Sequence, residues 1–247
     1  KIMIKKILSS ILVSSVLFVF STVSSMAFER PTIAIGLQGA YGAGTASGSE
    51  LEGAGSPQEK TTAERSGEFG WTNIFLEIQD IGDRVTLGAS WSADDFETDQ
   101  EGRTDNLCSA GTLDEQGHPR NDCPVVGDAG TSTVSVEFSN MMTAYAELRL
   151  YEGFYVKAGI IEVDVETKEN LHTDTSYPNT SLDGDIIGFG WRGSWDNGVF
   201  MKTETQMTSF TGVTLQGTGS TGTDNNTSVT LDNLDAVTAS ISIGKAF

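Results

Sequence analysis

Eight segments of two-faced sequence, connections that alternate between long and short, and an apolar leader predict an all-β fold. The predicted architecture is an eight-stranded antiparallel up-and-down transmembrane β-barrel with four long extracellular loops. With 28 Gly and only 5 Pro in 247 residues, and no long helical pattern after the leader, the composition suits a single sheet domain.

The leader is the first element. "KIMIKKILSSILVSSVLFVFSTVSSMAFERP" has a basic head at Lys5 and Lys6, an apolar stretch from Ile11 to Phe20, and small residues at Ser25 and Ala27. That order reads as a secretory signal peptide over residues 1–27, cut before Phe28, leaving 28–247 as the barrel domain. A permanent helical anchor is the competing reading, but serines interrupt the stretch and no basic stop-transfer cluster follows. Loss of the leader's three lysines takes the formal charge from −19 to −22. So acidic a chain is a poor partner for nucleic acid, which needs a basic surface. Cys108 and Cys123 lie in one polar stretch of an exported chain and read as a loop disulfide, ahead of free thiols or a metal site.

The strands follow in order. In the first, Ile33, Ile35, Leu37 and Tyr41 alternate with Ala34, Gly36 and Gln38. In the second, if Glu77 points inward, Thr72, Ile74, Leu76 and Ile78 point out. The third sets Val85, Leu87, Ala89 and Trp91 against Thr86, Gly88 and Ser90. The fourth runs from Val134 to Leu150, with mainly apolar even positions opposite Ser135, Glu137, Tyr145, Glu147 and Arg149. In the fifth, "FYVKAGIIEVDVE", parity changes between Ile160 and Ile161, as a bulge would produce. The sixth places Ile187, Phe189, Trp191 and Trp195 opposite Gly188, Gly190 and Arg192, and the seventh sets Lys202, Glu204, Gln206 and Thr208 on one face. The eighth carries Val237, Ala239, Ile241, Ile243 and Phe247 on one parity.

The connections decide what the apolar face meets. Long stretches near 43–68, 93–132, 167–184 and 216–228 alternate with the short "QDIGD", "YEG" and "DNG". A soluble sandwich has no cause for that alternation, whereas a barrel in an outer membrane has short turns on one side and long loops on the other. With no water in the bilayer core, a spanning sheet must close, and its outward side chains must be apolar. Tyr41, Trp71, Trp91, Trp191 and Trp195 near strand ends then read as aromatic girdles.

On these residues the chain resembles the small bacterial outer-membrane β-barrels, the family of OmpX and the transmembrane domain of OmpA, over nearly all of the mature chain. The resemblance implies a porin-like integral protein of the bacterial cell outer membrane, in contact with its lipid and lipopolysaccharide. It also implies that Phe247 is the assembly signal by which the barrel-assembly machinery reads the C-terminal strand. Lys245 departs from that signal, since the family has an aromatic or apolar residue there.

The lumen carries the site prediction. Inward parity collects Glu137, Glu147, Arg149, Lys157, Arg192, Lys202 and Glu204, four cations against three acids. Eight strands leave an interior just wide enough for side chains to fill, and charges withdrawn from water are tolerated chiefly when paired. A salt-bridge network flanked by Gly88, Gly159, Gly188 and Gly190 should plug the channel, so the expected role is structural or a narrow pore.

Other chemistry is weaker. "GFGWRG" has dinucleotide-binding spacing but lies within a strand, with no helix N-terminus to hold a pyrophosphate. "DFETDQEG" places Asp95, Glu97, Asp99 and Glu101 at every second residue, yet Gln100 stands where a calcium loop needs glycine. His118 and His172 have no spacing that specifies a nucleophile, base and orienter, so neither a catalytic residue, a metal nor a cofactor is expected. Two alternatives to a structural or pore role stay open: a surface adhesin or receptor-binding barrel using its polar loops on an extracellular ligand, and an outer-membrane lipid-modifying enzyme or protease.

Overall fold

The computed structural model describes residues 31–52, 59–92, 94–98, 101–105, 130–170, 176–218 and 228–247. The leader, both cysteines, both histidines and Asp99 lie outside the described residues. The described strands are β1 (Thr32–Glu52), β2 (Glu59–Ile81), β3 (Val85–Ser92), β4 (Phe96–Glu97), β5 (Glu101–Asp105), β6 (Gly130–Arg149), β7 (Phe154–Asn170), β8 (Thr180–Ser194), β9 (Val199–Phe210), β10 (Val213–Gln216) and β11 (Ser228–Ala246).

They form one antiparallel ring of eight wall positions. The order is β1, β2, then β3 continued by β4 and β5, then β6, β7, β8, β9 and β11, with β10 pairing β11 above the end of β9. A β1–β11 ladder running from Ala34↔Ala246 to Leu51↔Ser228 closes the ring. Closure leaves the main ladder without a free edge, which is the condition for placing a sheet in lipid. The ladder extends to the C-terminal residue, where the Phe247 N–H donates to the Ile33 carbonyl at 2.9 Å. Lys245 stays in register and its ammonium bonds the Asn197 carbonyl in the β8–β9 turn.

The short connections turn as their residues allow. Gly82 and Asp83 at the β2–β3 turn, Glu152 and Gly153 at β6–β7, and Gly198 at β8–β9 all have positive φ. Three of the four long connections are shorter than expected. The β1–β2 ladder continues to Glu52↔Glu59, β5 pairs the start of β6, and β7 runs to Asn170, so part of each of these three expected loops is wall.

Burial alternates as period 2 requires. On β9, Phe200, Lys202, Glu204, Gln206 and Thr208 are buried while Thr203, Thr205 and Met207 are exposed. A band of exposed apolar side chains girdles the outside, including Ile35, Leu37, Leu76, Trp91, Met142, Ile160, Phe189 and Ile241. On β7 the band spans Phe154 to Ile160, about 20 Å along the strand.

The expected bulge near Ile160 is absent. β7 pairs β8 without a shift, and Tyr155, Lys157, Ile161 and Val163 are all buried on one parity. What changes past Ile160 is the chemistry of the two faces. Glu162, Asp164 and Glu166 replace apolar residues outside, while Ile161, Val163 and Val165 replace polar ones inside. The bulge lies in β6, where the register shifts between Ser139 and Met142 and Asn140 adopts φ 51°. Asparagine tolerates that left-handed geometry better than most residues.

Above this bulge the parity of β6 reverses, so Phe138 packs inward opposite Val165, not toward lipid. Trp71 is likewise corrected. It stands on the inward parity of β2 and packs against the inner apolar cluster, so it belongs to no girdle. Tyr41, Trp91, Trp191 and Trp195 do face outward.

Candidate functional site

The lumen at the level of the apolar band is built from six ionised side chains. Glu77 on β2, Glu147 on β6 and Glu204 on β9 face Lys157 on β7, Arg192 on β8 and Lys202 on β9. Glu77 and Glu147 share two cations. Arg192 Nη2 donates to Glu77 Oε2 at 2.7 Å and to Glu147 Oε2 at 3.2 Å, while Lys202 Nζ donates to the other oxygens of both at 2.5 and 2.6 Å. Lys157 Nζ donates to Glu204 Oε1 at 2.8 Å. Three carboxylates thus meet three cations, with side-chain exposures from 0 to 6%. Such charges persist away from water only because each has a partner of opposite sign.

Two tyrosines complete the network by the same geometry. Tyr145 on β6 lies directly across β3 from Gly88, and Gly88 lies directly across from Glu77 on β2. Without a side chain at Gly88 the phenol lies over the backbone and donates to Glu77 Oε1 at 2.8 Å. A Cβ at Gly88 would stand 2.4 Å from the Tyr145 ring. Tyr155, Gly190 and Glu204 repeat this on β7, β8 and β9, with the Tyr155 hydroxyl 2.9 Å from Glu204 Oε2 and a Cβ at Gly190 placed 2.5 Å from the phenol. Gln79 supplies Glu77 with one more donor at 2.7 Å. Aromatic faces cover the cations: Lys157 Nζ lies 4.2 Å from the Tyr145 ring centre and the Arg192 guanidinium 4.9 Å from that of Phe200.

Two predicted members stand elsewhere. Glu137 lies beyond the β6 bulge, in register with Glu166 on the outer face, and pairs there with Lys168. The parity reversal at Asn140 is the physical reason. Ser135 and Glu97 join that outer group through a 2.6 Å bond. The Ser135 hydroxyl, and then Lys168, hold the Glu97 carboxyl below its ordinary range, and the bond that the Lys168 ammonium donates to Glu137 raises Lys168. Arg149 stands at the short-turn mouth of the barrel, half-exposed, and pairs with Asp80 at 2.8 Å. Glu77, Tyr145 and Tyr155 were missing from the predicted network. For Glu77 the signal was present, as it is the one charged residue between Trp71 and Gln79 of β2.

Above the charges come a polar layer and an apolar one. Asn73 donates to Gln38 and Gln38 to Ser240 at 2.9 and 3.0 Å. A cavity of about 10 Å³ lies between these amides and Trp71, Met141 and Ile161, room for roughly one water. Higher still, Met141, Ile161, Val163, Leu182 and Ile186 form a buried cluster. Stacked rings of Phe69, Trp71, Phe96 and Phe138 adjoin it, with centroids 4.7 to 6.5 Å apart.

No family model matches the chain, and no curated protein matches it. Among solved structures it is similar to the outer membrane protein OprG from Pseudomonas aeruginosa, at 10% identity and a TM-score of 0.52, covering 89% of this chain and 97% of that one. The chain has the fold of the small outer-membrane β-barrels. It also matches the outer membrane protein AlkL in lipid bilayers, at 11% identity over 91% of this chain and 94% of that one, with a TM-score of 0.44. The outer membrane protease OmpT from Escherichia coli matches at 10% identity over 91% and 99%, with a TM-score of 0.42. A closed ring with an apolar outside is stable in a bilayer, so this outer-membrane barrel lies across the bacterial outer membrane in contact with its lipid.

Proposed function

We propose that the protein is a closed outer-membrane barrel, porin-like in architecture but with little or no conductance, whose role is structural. The observation that carries this reading is the filled lumen. A neutral, mutually paired charge layer and an apolar layer above it leave between them a cavity of only about 10 Å³. An ion entering the charge layer would have to replace contacts that already satisfy every carboxylate of the cluster.

Conductance of refolded protein in planar bilayers tests this. Small or absent currents are expected, and large stable single-channel currents would overturn the reading.

A second reading, a surface-binding role, is favoured by the wall's continuation past the apolar band. The β1–β2 ladder runs on to Glu52 and Glu59, and β7 continues past Glu162 to Asn170. These extensions carry a polar outer wall, with Glu162, Asp164 and Glu166 exposed, past the lipid-facing band, and that wall is the surface an external ligand would meet. Binding to cells or matrix that disappears when residues 106–129, between β5 and β6, are deleted from a barrel that still folds would support it. No catalysis is proposed. Deacylation, acyl-transfer or peptide-cleaving activity of the purified barrel, lost on His172→Ala, would reverse that.

A further inference from the structure

We propose that the Asn197–Gly198 pair in the β8–β9 turn is a deamidation site, reactive in the unassembled chain and silenced when β11 closes the ring. Glycine is required at 198, where φ is +81° and a Cβ would stand 2.6 Å from the Ala246 carbonyl oxygen. Asn197 precedes it and is exposed to water. In such a pair the glycine nitrogen attacks Asn197 Cγ, and the new C–N bond closes a five-membered succinimide. The side-chain nitrogen leaves as ammonia, carrying the proton that Gly198 gives up. Water then opens the ring at either carbonyl and leaves aspartate or, with the main chain rerouted through Cγ, isoaspartate. Gly198 has no side chain to hinder the attack, so the pair reacts wherever the chain is free to bring the two groups together.

The folded turn holds both groups apart. The Gly198 N–H, whose proton must leave, donates to the Trp195 carbonyl at 2.9 Å. Asn197 Oδ1 accepts from the Val199 N–H at 3.0 Å, which anchors the side-chain amide one residue beyond the attacking nitrogen. Both bonds must break before Cγ and that nitrogen can meet.

The hairpin does not hold this arrangement alone. The carbonyls of Asn197 and Gly198 are bonded from β11, the first by the Lys245 ammonium and the second by the Ala246 N–H at 2.8 Å. The same two residues pair with Ile35 and Ala34 of β1 in the ladder that closes the ring. The segment that closes the barrel therefore clamps the turn, and the turn opens only with the ladder beside it. Lys245, the departure from the resembled assembly signal, gains a positioning role here, because an apolar side chain has no donor for the Asn197 carbonyl.

Mass spectrometry of the tryptic peptide 193–202 tests the site, with the full chain incubated in mildly alkaline buffer either folded in lipid vesicles or unfolded in urea. The unfolded chain should gain the deamidation mass about tenfold faster than the folded barrel, or more. Asn197→Ser should abolish the gain in that peptide. A Lys245→Met barrel, shown to be folded by slower gel migration after heating, should deamidate about threefold faster than the folded wild type, while the two unfolded chains match. Equal rates in folded and unfolded wild type, a comparison that needs no variant, would overturn the proposal. So would a folded Lys245→Met barrel no faster than wild type, which would show that closure by β11 does not hold the turn.

Discussion

The two halves of the barrel wall have the same alternation and opposite chemistry. In the short-turn half the inside is charged and the outside apolar, with Lys157, Arg192 and Glu204 within and Val156, Trp191 and Ile187 without. In the far half the inside is apolar and the outside acidic, with Val163, Leu182 and Phe138 within and Glu162, Asp164 and Asp185 without. No strand has to change parity for this on β7, β8 or β9, where the pairing is uninterrupted. The wall outside decides which face may be apolar. Where lipid covers it, apolar side chains go out and ionised groups must pair inside. Above the headgroups water covers it, and the ordinary rule of an apolar core returns.

Removing one cation from the lower half should break the comparison most severely. Arg192→Ala leaves Glu77 and Glu147 sharing only Lys202, and should cost about 3–5 kcal/mol in urea unfolding from lipid vesicles. The double variant Arg192→Met with Glu77→Gln restores neutrality and should recover more than half of that loss. A loss below about 1 kcal/mol for the single variant would show that the charges reach water.

Two adjacent outward positions on β8 locate the boundary itself. Ile187→Lys should cost about 2–4 kcal/mol, while Asp185→Lys, one pleat higher, should cost about 0–1 kcal/mol. Equal costs would mean that the lipid edge does not fall between them.

The smallest expected effect lies in the upper half, on the outer face. Ser135→Ala removes the leading cause of the depressed Glu97 carboxyl, which should move up toward its ordinary range in a carboxyl-carbon NMR titration. A carboxyl depressed in the folded state contributes stability above its unfolded pKa and loses it as pH falls through the folded value. Glu97 is exposed, so the unfolding midpoint at neutral pH should not move.

From period 2 and connection length alone, the eight wall strands, the ring, the outward row of β11 and the inward Lys157, Arg192, Lys202 and Glu204 could all be read. The sequence by itself determines these because alternation says which residues share a face and turn chemistry says where a strand reverses. It does not say which face is interior at a given height. Tertiary structure decided that Trp71 and Phe138 point in, and that the left-handed Asn140 sends Glu137 to Lys168 outside. It also decided that Glu77 is held by Tyr145 across Gly88, a contact between residues 68 apart in the chain. That contact exists only when three strands lie side by side in one register and the middle one is bare, and a face shared along one strand carries no information about the register of its neighbours.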